Sequence, residues 1–401
     1  MLAFVTVVLT TFGLLYGYTG WRILAPLRLG ASWNGAAAAV LALLMVMPFL
    51  LHGRHGGIPD WLSPPLGWAA YVALGFVLIT WSLLVLRDVC WFVLLLGQRL
   101  ATALVRRASP GTELADPARR LFLLNALNVS TLAVSTSMTG YGLVSARRGL
   151  RTVALTVPLP GLPPEFAGLR IAHWGDLHVG LTIRRDFVER VVDHCAALPA
   201  DLIACTGDLA DGDLAELERD VEPLARLRAP LGSFFVTGNH EYYHGDLREW
   251  LPHLRDLGFT VLLNEHRVLT RGSAQLVIAG IPDPAAGTLG PAHRPDASRA
   301  VAGAPPGAPR IFLAHQPRSI DMVATAGAAL LLAGHTHGGQ FVPWTYVVGL
   351  QQPYVAGLHR HGGTWIHVTR GAGYWGPPLR LGVPPEIALL TLEPAEGQTL
   401  A

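Results

Sequence analysis

The chain has 401 residues, of which 51% are hydrophobic and 14% charged, and it carries a formal net charge of +2 with no lysine. So apolar a composition at this length excludes an ordinary soluble enzyme. The imbalance lies in front: residues 1–150 hold 11 Arg against four acids (Asp60, Asp88, Glu113 and Asp116), net +7, whereas the remainder holds 19 Arg against 24 acids, net −5.

Four apolar stretches in the front region, residues 2–23, 36–51, 67–86 and 121–144, approach the ~20 residues needed to cross a ~30 Å hydrocarbon core. The second is short and contains Pro48, and the fourth, with Asn125, Asn128 and a run of Ser and Thr, has the weakest claim to cross. Residues 89–96 extend the third beyond Arg87-Asp88. The first lacks the basic start and small-residue cleavage site of a signal peptide and is followed by more apolar segments, so it reads as an anchor. Asn128-Val129-Ser130 fits a glycosylation pattern but falls inside an apolar span and is discounted. Residues 1–150 are therefore expected to form an all-α transmembrane region of about four helices in the plasma membrane.

Arginine placement bears on orientation. Arg22 and Arg28 follow the first span and Arg99, Arg106, Arg107, Arg119 and Arg120 the third, whereas the second connection has only Arg54. The positive-inside rule then puts residues 25–33 and 97–120 in the cytoplasm and, with four crossings, the rest of the chain outside. Arg147, Arg148 and Arg151 pull the other way. The composition changes sharply near Arg147-Arg148, so residues 151–401 are expected to form a second domain. Cys90, Cys195 and Cys205 read as small core residues rather than a disulfide set.

Beyond that boundary come five apolar, strand-like runs: 169–174, 202–206, 233–237, 311–314 and Leu330–Ala333. Each leads into a block of metal-binding side chains: Asp176-Leu177-His178, Gly207-Asp208, Gly238-Asn239-His240-Glu241, His315, and Gly334-His335-Thr336-His337. The ligands would gather at the C-terminal edge of a sheet, where open α/β folds put their sites. Helical patterns at 184–198, 214–227 and 247–257 alternate with the early strands, and strands at 275–279, 365–369 and 387–392 complete a mixed α/β fold. Residues 282–309, rich in Pro, Gly and Ala, look like a loop, and His359 and His361 fall in a late loop.

Carboxylate, imidazole and amide ligands without thiolate suit manganese, iron or zinc. Asp176 and His178 are two residues apart at a strand end, where alternate side chains point the same way, and His335 and His337 repeat that spacing. Asp208 is the bridging candidate, because a carboxylate can offer one oxygen to each of two divalent ions ~3.5–4 Å apart. His173, His194 and His253 sit inside strand or helix patterns, and His244 reads as a loop histidine; these stay outside the ligand set.

The ordered set D-x-H, G-D, G-N-H-E, H and G-H-x-H resembles the calcineurin-like metallophosphoesterases, and Asp176-Leu177-His178-Val179-Gly180, His315-Gln316-Pro317 and Gly334-His335-Thr336-His337-Gly338-Gly339-Gln340 resemble its membrane-attached bacterial branch. The resemblance covers roughly residues 150 to 395 and implies a four-layer α/β/β/α sandwich. It also implies a first metal held by Asp176, His178, Asp208 and His337, and a second held by Asp208, Asn239, His315 and His335. His240 then acts beside the metals on the phosphoryl oxygen or leaving group.

The expected reaction follows from charge. Two cations neutralise an anionic phosphoester and acidify a bridging water, so a metal-bridging hydroxide attacks phosphorus directly. Without lysine, further positive contact must come from arginine, and Arg370, after the strand at 364–369, is the candidate. A membrane-tethered hydrolase meets lipids, so the expected substrate is a phosphodiester or pyrophosphate bond in a lipid or lipid-linked nucleotide. The aromatic residues Phe341, Trp344, Tyr346, Tyr354, Tyr374 and Trp375 would either rest at a bilayer interface or simply pack the loops. No nucleic-acid partner is expected, since neither half concentrates basic and aromatic residues. The alternative is a membrane scaffold or transport component that keeps the metal site without turnover; proteolysis is disfavoured by the absence of H-E-x-x-H.

Overall fold

The computed structural model describes residues 2–52, 59, 61–104 and 116–395; Arg54, Arg106 and Arg107 of the orientation argument lie outside the described residues. The chain divides into two compact units, Met1–Tyr141 and Gly142–Ala401.

The first unit is built from α1 (Leu2–Leu24), α2 (Ala31–His52), α3 (Ser63–Leu104) and most of α4 (Pro117–Arg148). The region holds the expected four helices, and among the described residues three segments are long and apolar enough to cross a membrane: Ala31–Leu51, Ser63–Ala101 and Pro117–Arg148. The first stretch is helical as well, over Leu2–Leu24. Residues 89–96 do continue α3, whose 42 residues span about 63 Å at 1.5 Å per residue. Asn128, which weakens the sequence case for the fourth stretch, takes part in a polar cross-link. Asp88 accepts from Tyr18 Oη and Arg22 Nη2, each at 2.5 Å, and from Arg87 Nε at 3.1 Å. Arg87 Nη1 donates to Asn128 Oδ1 at 2.7 Å, and Asn128 Nδ2 donates to the Arg22 carbonyl at 3.0 Å. Charges in apolar surroundings persist when they are paired in this way.

The second unit contains β1 (Arg151–Leu159), β2 (Arg170–Trp174), α5 (Arg185–Ala196), β3 (Leu202–Cys205), α6 (Leu214–Val221), β4 (Ser233–Phe235), α7 (His240–Tyr243), α8 (Leu247–Asp256) and β5 (Phe259–Val261). It continues with β6 (Glu265–Arg271), β7 (Ala274–Gly280), α9 (Ala297–Ala300), β8 (Arg310–Leu313), α10 (Ile320–Thr325), β9 (Leu330–Ala333), α11 (Trp344–Val348), β10 (Gly357–His361), β11 (Thr364–Val368) and β12 (Glu386–Pro394). Two six-stranded sheets result, ordered β1-β12-β2-β3-β4-β5 and β10-β11-β9-β8-β7-β6.

Strand alternation turns these sheets into layers. Ile171, Leu202, Ala204 and Phe234 face Leu276, Ile278, Ile311 and Leu330 in a core between the sheets. Their neighbours Ala172, Trp174, Ile203, Cys205 and Phe235 turn outward onto Val191 of α5, Leu217 of α6 and Trp250 of α8. On the far side Val277, Ala279, Phe312 and Leu331 meet Ala300 of α9 and Ile320 and Val323 of α10. The fold is thus the four-layer α/β/β/α sandwich. The middle strands β2, β3, β4, β8 and β9 are apolar on both faces because both faces are covered, which is why they read as continuous runs.

Three expectations need correction. His359 and His361 lie on β10, a half-buried edge strand whose polar sequence shows no apolar alternation. Residues 282–309 contain two 3-10 turns, Pro284–Leu289 and Pro291–His293, followed by α9, and bury Ala286, Ala297 and Ala300; small residues are packed there rather than loose. Cys195 and Cys205 are buried, but Cys90 is exposed on α3.

Candidate metal centre

The strands that carry the ligand blocks stop short of them: β2 ends at Trp174, β3 at Cys205 and β9 at Ala333. The chain then coils. Asp176, His178, Asp208, His335 and His337 all have φ between 50° and 71°, the left-handed region that non-glycine residues avoid at ~1–3 kcal/mol each. Asp176 therefore does not meet His178, nor His335 meet His337, through strand alternation; left-handed turns past the strand ends aim them. Glycine lets the loops close in, since a Cβ on Gly207 would lie 2.2 Å from the Gly238 nitrogen and one on Gly238 2.1 Å from Asp208 Oδ1.

Asp176, His178 and His337 bring one donor atom each within 4.8 Å of one another. His178 Nδ1 lies 2.9 Å from Asp211 Oδ1, a carboxylate that only accepts, so the ring proton sits there. Its Nε2 keeps a lone pair and faces His337 Nε2 at 3.0 Å. Asp176 Oδ1 accepts from the His335 amide at 2.9 Å, whereas Oδ2 is buried without a partner.

Asp208, His315 and His335 form a second group of the same kind. His315 Nδ1 stands 2.7 Å from the Thr206 carbonyl oxygen and must donate to it. His315 Nε2 then faces Asp208 Oδ2 at 3.1 Å, His335 Nδ1 at 3.1 Å and Asn239 Oδ1 at 3.2 Å. Acceptors that converge on one point repel each other unless a positive charge is shared among them. Ring N–H groups anchored on a carboxylate and a carbonyl are also the usual support for metal-bound imidazoles. The donor set, with the orphaned Asp176 oxygen, fits divalent cations.

The titration behaviour has the same origin. Burial pushes Asp176 up to about 6, against the pull of His315. Burial opposes a charged His315, yet the Asp208 and Asp176 carboxylates lift it to about 10, so a proton on Nε2 supplies the shared positive charge where no cation does. Asp208 resists burial and stays well below the usual carboxylate range because His315 and His240 surround it. Burial, reinforced by His315, pushes His335 down to about 3, and burial with Arg380 depresses His337.

His240 sits beside both groups. Its amide donates to Asp208 Oδ1 at 2.9 Å and its Nδ1 to Asp211 Oδ1 at 2.8 Å, while its ring meets His178 edge-on at 4.6 Å and Trp375 at 5.6 Å. Burial opposes its charging, but Asp208 and Asp211 raise it to about 9. His244, on the loop after α7, lies 5.3 Å from that ring.

Three supporting residues escaped the sequence reading. Asp211 accepts from His178 and His240 together, and a second carboxylate three residues after Asp208 was its only signal. The Glu241 carboxylate accepts from the amides of Asp208, Leu209 and Gly238 at 3.0, 2.7 and 2.6 Å, knitting two loops. Arg380, fully buried, donates to the carbonyls of Gly373 and His337 at 2.5 and 2.9 Å and places Nη2 3.0 Å from His337 Nδ1. Arg370, the expected phosphate contact, is ion-paired with the buried Glu386. Among the aromatics, Phe341 and Tyr374 are buried core residues, whereas Tyr346 and Trp375 are 75% and 51% exposed.

Comparison with known proteins agrees with this geometry. The family model of calcineurin-like phosphoesterases matches residues 169–339. A "Transmembrane protein with metallophosphoesterase domain" of Danio rerio is 32% identical over 386 residues, covering 94% of this chain and 81% of the relative. Its namesake in Bos taurus is 34% identical over 337 residues, covering 81% of this chain and 73% of the relative. An "Uncharacterized metallophosphoesterase" of Helicobacter pylori is 39% identical over 228 residues, covering 56% and 60%.

Proposed function

Because the chain belongs to the calcineurin-like phosphoesterase family, and is thereby a metal-dependent phosphoesterase with a membrane-associated helical region, we propose that it hydrolyses a phosphodiester or pyrophosphate bond at a two-cation centre. In this reading Asp176, His178, Asp208 and His337 hold one ion, and Asp208, Asn239, His315 and His335 hold the other. The observation that carries it is the convergence on His315 Nε2 of three further acceptor atoms while Nδ1 is committed to a carbonyl. Divalent cations held there would neutralise phosphoryl oxygens and acidify a water for attack on phosphorus.

The chain's own residues set the rest. Asp211 holds His178 and His240 by their Nδ1 atoms, so the His240 ring keeps its far nitrogen for a phosphoryl or leaving-group oxygen. Glu241 locks the Asp208 loop to the Gly238 loop, keeping the bridging carboxylate at the centre of the donor set. The exposed ring of Trp375, 5.6 Å from His240, supports a lipid or lipid-linked substrate.

We place the helical region in the plasma membrane and the catalytic domain outside it. That side depends on α4 alone: with residues 97–120 cytoplasmic and α4 crossing, the number of earlier spans is immaterial.

The test is metal analysis of the purified full-length protein with a screen of phosphomonoesters, phosphodiesters and pyrophosphates, beside Asp208→Asn. About two ions per chain and diester or pyrophosphate turnover that collapses in the variant are expected. A metal-free protein, or full activity in Asp208→Asn, would overturn the reading.

A further inference from the structure

The chain has no lysine, so any fixed positive charge that meets an anionic substrate is a guanidinium. Two of the arginines near the centre are already engaged, Arg370 by Glu386 and Arg380 by backbone carbonyls. Arg318 differs. It stands on the 3-10 turn Pro317–Ser319, three residues after His315, and its exposed side chain has no hydrogen-bond or ion-pair partner among the described residues.

The turn beneath it is held firmly. The Arg318 amide donates to Gln352 Oε1 at 3.1 Å, Gln352 Nε2 to Gln316 Oε1 at 3.2 Å, and Gln316 Nε2 to Asp283 Oδ2 at 2.7 Å. Gln352, Gln316 and Asp283 are 6%, 4% and 1% exposed, so a buried polar chain orders a turn whose outward feature is a free guanidinium. His315 stands just past the end of β8, and the Arg318 turn follows at once before α10 begins. Arg318 thus lies at the C-terminal end of β8, on the same sheet edge as His315.

We propose that Arg318 is the substrate's anion contact, pairing its planar fork with phosphoryl oxygens of the bound phosphoester. The assignment rests on the phosphoesterase reading and deepens it. A fork that meets two oxygens gives orientation as well as attraction, which a point charge does not. The turn orders the backbone of Arg318 while its side chain stays free, so the contact forms with substrate rather than within the protein.

The experiment titrates inorganic phosphate into the full-length, manganese-loaded protein in detergent by calorimetry, with Arg318→Gln, Arg318→Lys and Arg370→Gln alongside. Loss of one charge-assisted contact predicts ~10- to 100-fold weaker phosphate binding in Arg318→Gln and a smaller loss in Arg318→Lys, with manganese content and melting temperature unchanged. On an aryl phosphodiester, KM should rise by a similar factor while kcat moves little. Phosphate affinity in Arg318→Gln within twofold of wild type, no measurable binding to the wild type, or a loss confined to Arg370→Gln would each overturn the proposal. A protein that binds phosphate through Arg318 but cleaves no phosphoester would refute the reaction and keep the contact; an unaltered KM in Arg318→Gln would do the reverse.

Discussion

The two halves of the metal centre are built from similar side chains and supported differently. Around His315 the ring N–H is anchored on the Thr206 backbone carbonyl, part of the sheet framework itself. Around His178 the anchor is a side chain, Asp211, which also holds His240. Left-handed backbone occurs in both, at Asp176, His178 and His337 of the first and at Asp208 and His335 of the second, where Asn239 keeps an ordinary φ of −75°. One half leans on backbone already ordered by the fold; the other depends on a loop carboxylate and a buried arginine. Ligand identity alone does not reveal which half is the more easily disturbed.

Substituting a ligand in either half should give the largest effect. Asp176→Ala and His315→Ala are each expected to lower turnover ~10³-fold, since each removes charge or a donor at the reacting centre. Metal analysis sharpens the comparison: each variant should lose mainly the ion of its own half, and loss of all metal from both would merge the halves into a single cooperative unit. Asp211→Asn comes next. It removes the charge that orients His178 and His240 together, so a ~10- to 100-fold fall in kcat is expected with the His315 half still loaded. An unchanged kcat would show that the shared carboxylate is not needed to orient either ring.

Arg380→Met probes stability more than chemistry. It leaves the carbonyls of Gly373 and His337 without donors, at ~1–3 kcal/mol each, and should lower the melting temperature by several degrees while weakening metal binding in the His337 half. A variant that melts with the wild type would remove the structural role.

The smallest effect concerns pH, away from the ligands. His173 and His367 are fully buried between the sheets with their Nδ1 atoms 2.8 Å apart. Burial and the coulombic effect of His367 hold His173 far below the usual histidine value, and burial with Arg370 takes His367 down to about 3. Unfolding returns both to ~6.5, so the unfolded chain binds protons that the native one refuses. Stability is therefore fully present above ~pH 7 and declines as pH falls below ~6.5, by up to ~1.4 kcal/mol per pH unit for each histidine. Melting curves from pH 7 to 5 should fall less steeply in His367→Gln; an identical slope would exonerate the pair.

The ligands were legible because each combines two local signals, an apolar strand and a residue type with few uses other than chelation at its end. The covered central strands were legible for a related reason, since burial on both faces leaves an unbroken apolar run. β10 was not: polar and at a sheet edge, it draws its extended form from pairing with β11 rather than from its own residues. Asp211 was half visible, a carboxylate in the Asp208 loop whose second histidine partner comes from another loop. Arg380 was invisible, because its contact with His337 crosses 43 residues and nothing nearby marks a guanidinium as buried. Arg370 looked like a free cation only until Glu386, 16 residues on, took it up.

Residue order and hydropathy by themselves determined the division of labour: apolar helices in front, a layered α/β unit behind, and the list of atoms able to hold metal. These follow from local chemistry, in which side-chain length, polarity and periodicity act within a few residues. The tertiary structure alone decided how those atoms point, through left-handed turns beyond the strand ends. It also decided which protons are displaced, through carboxylates and carbonyls brought from distant loops, and which guanidiniums are paired and which left free. Orientation and protonation depend on neighbours in space, and here those neighbours lie up to 194 residues apart along the chain.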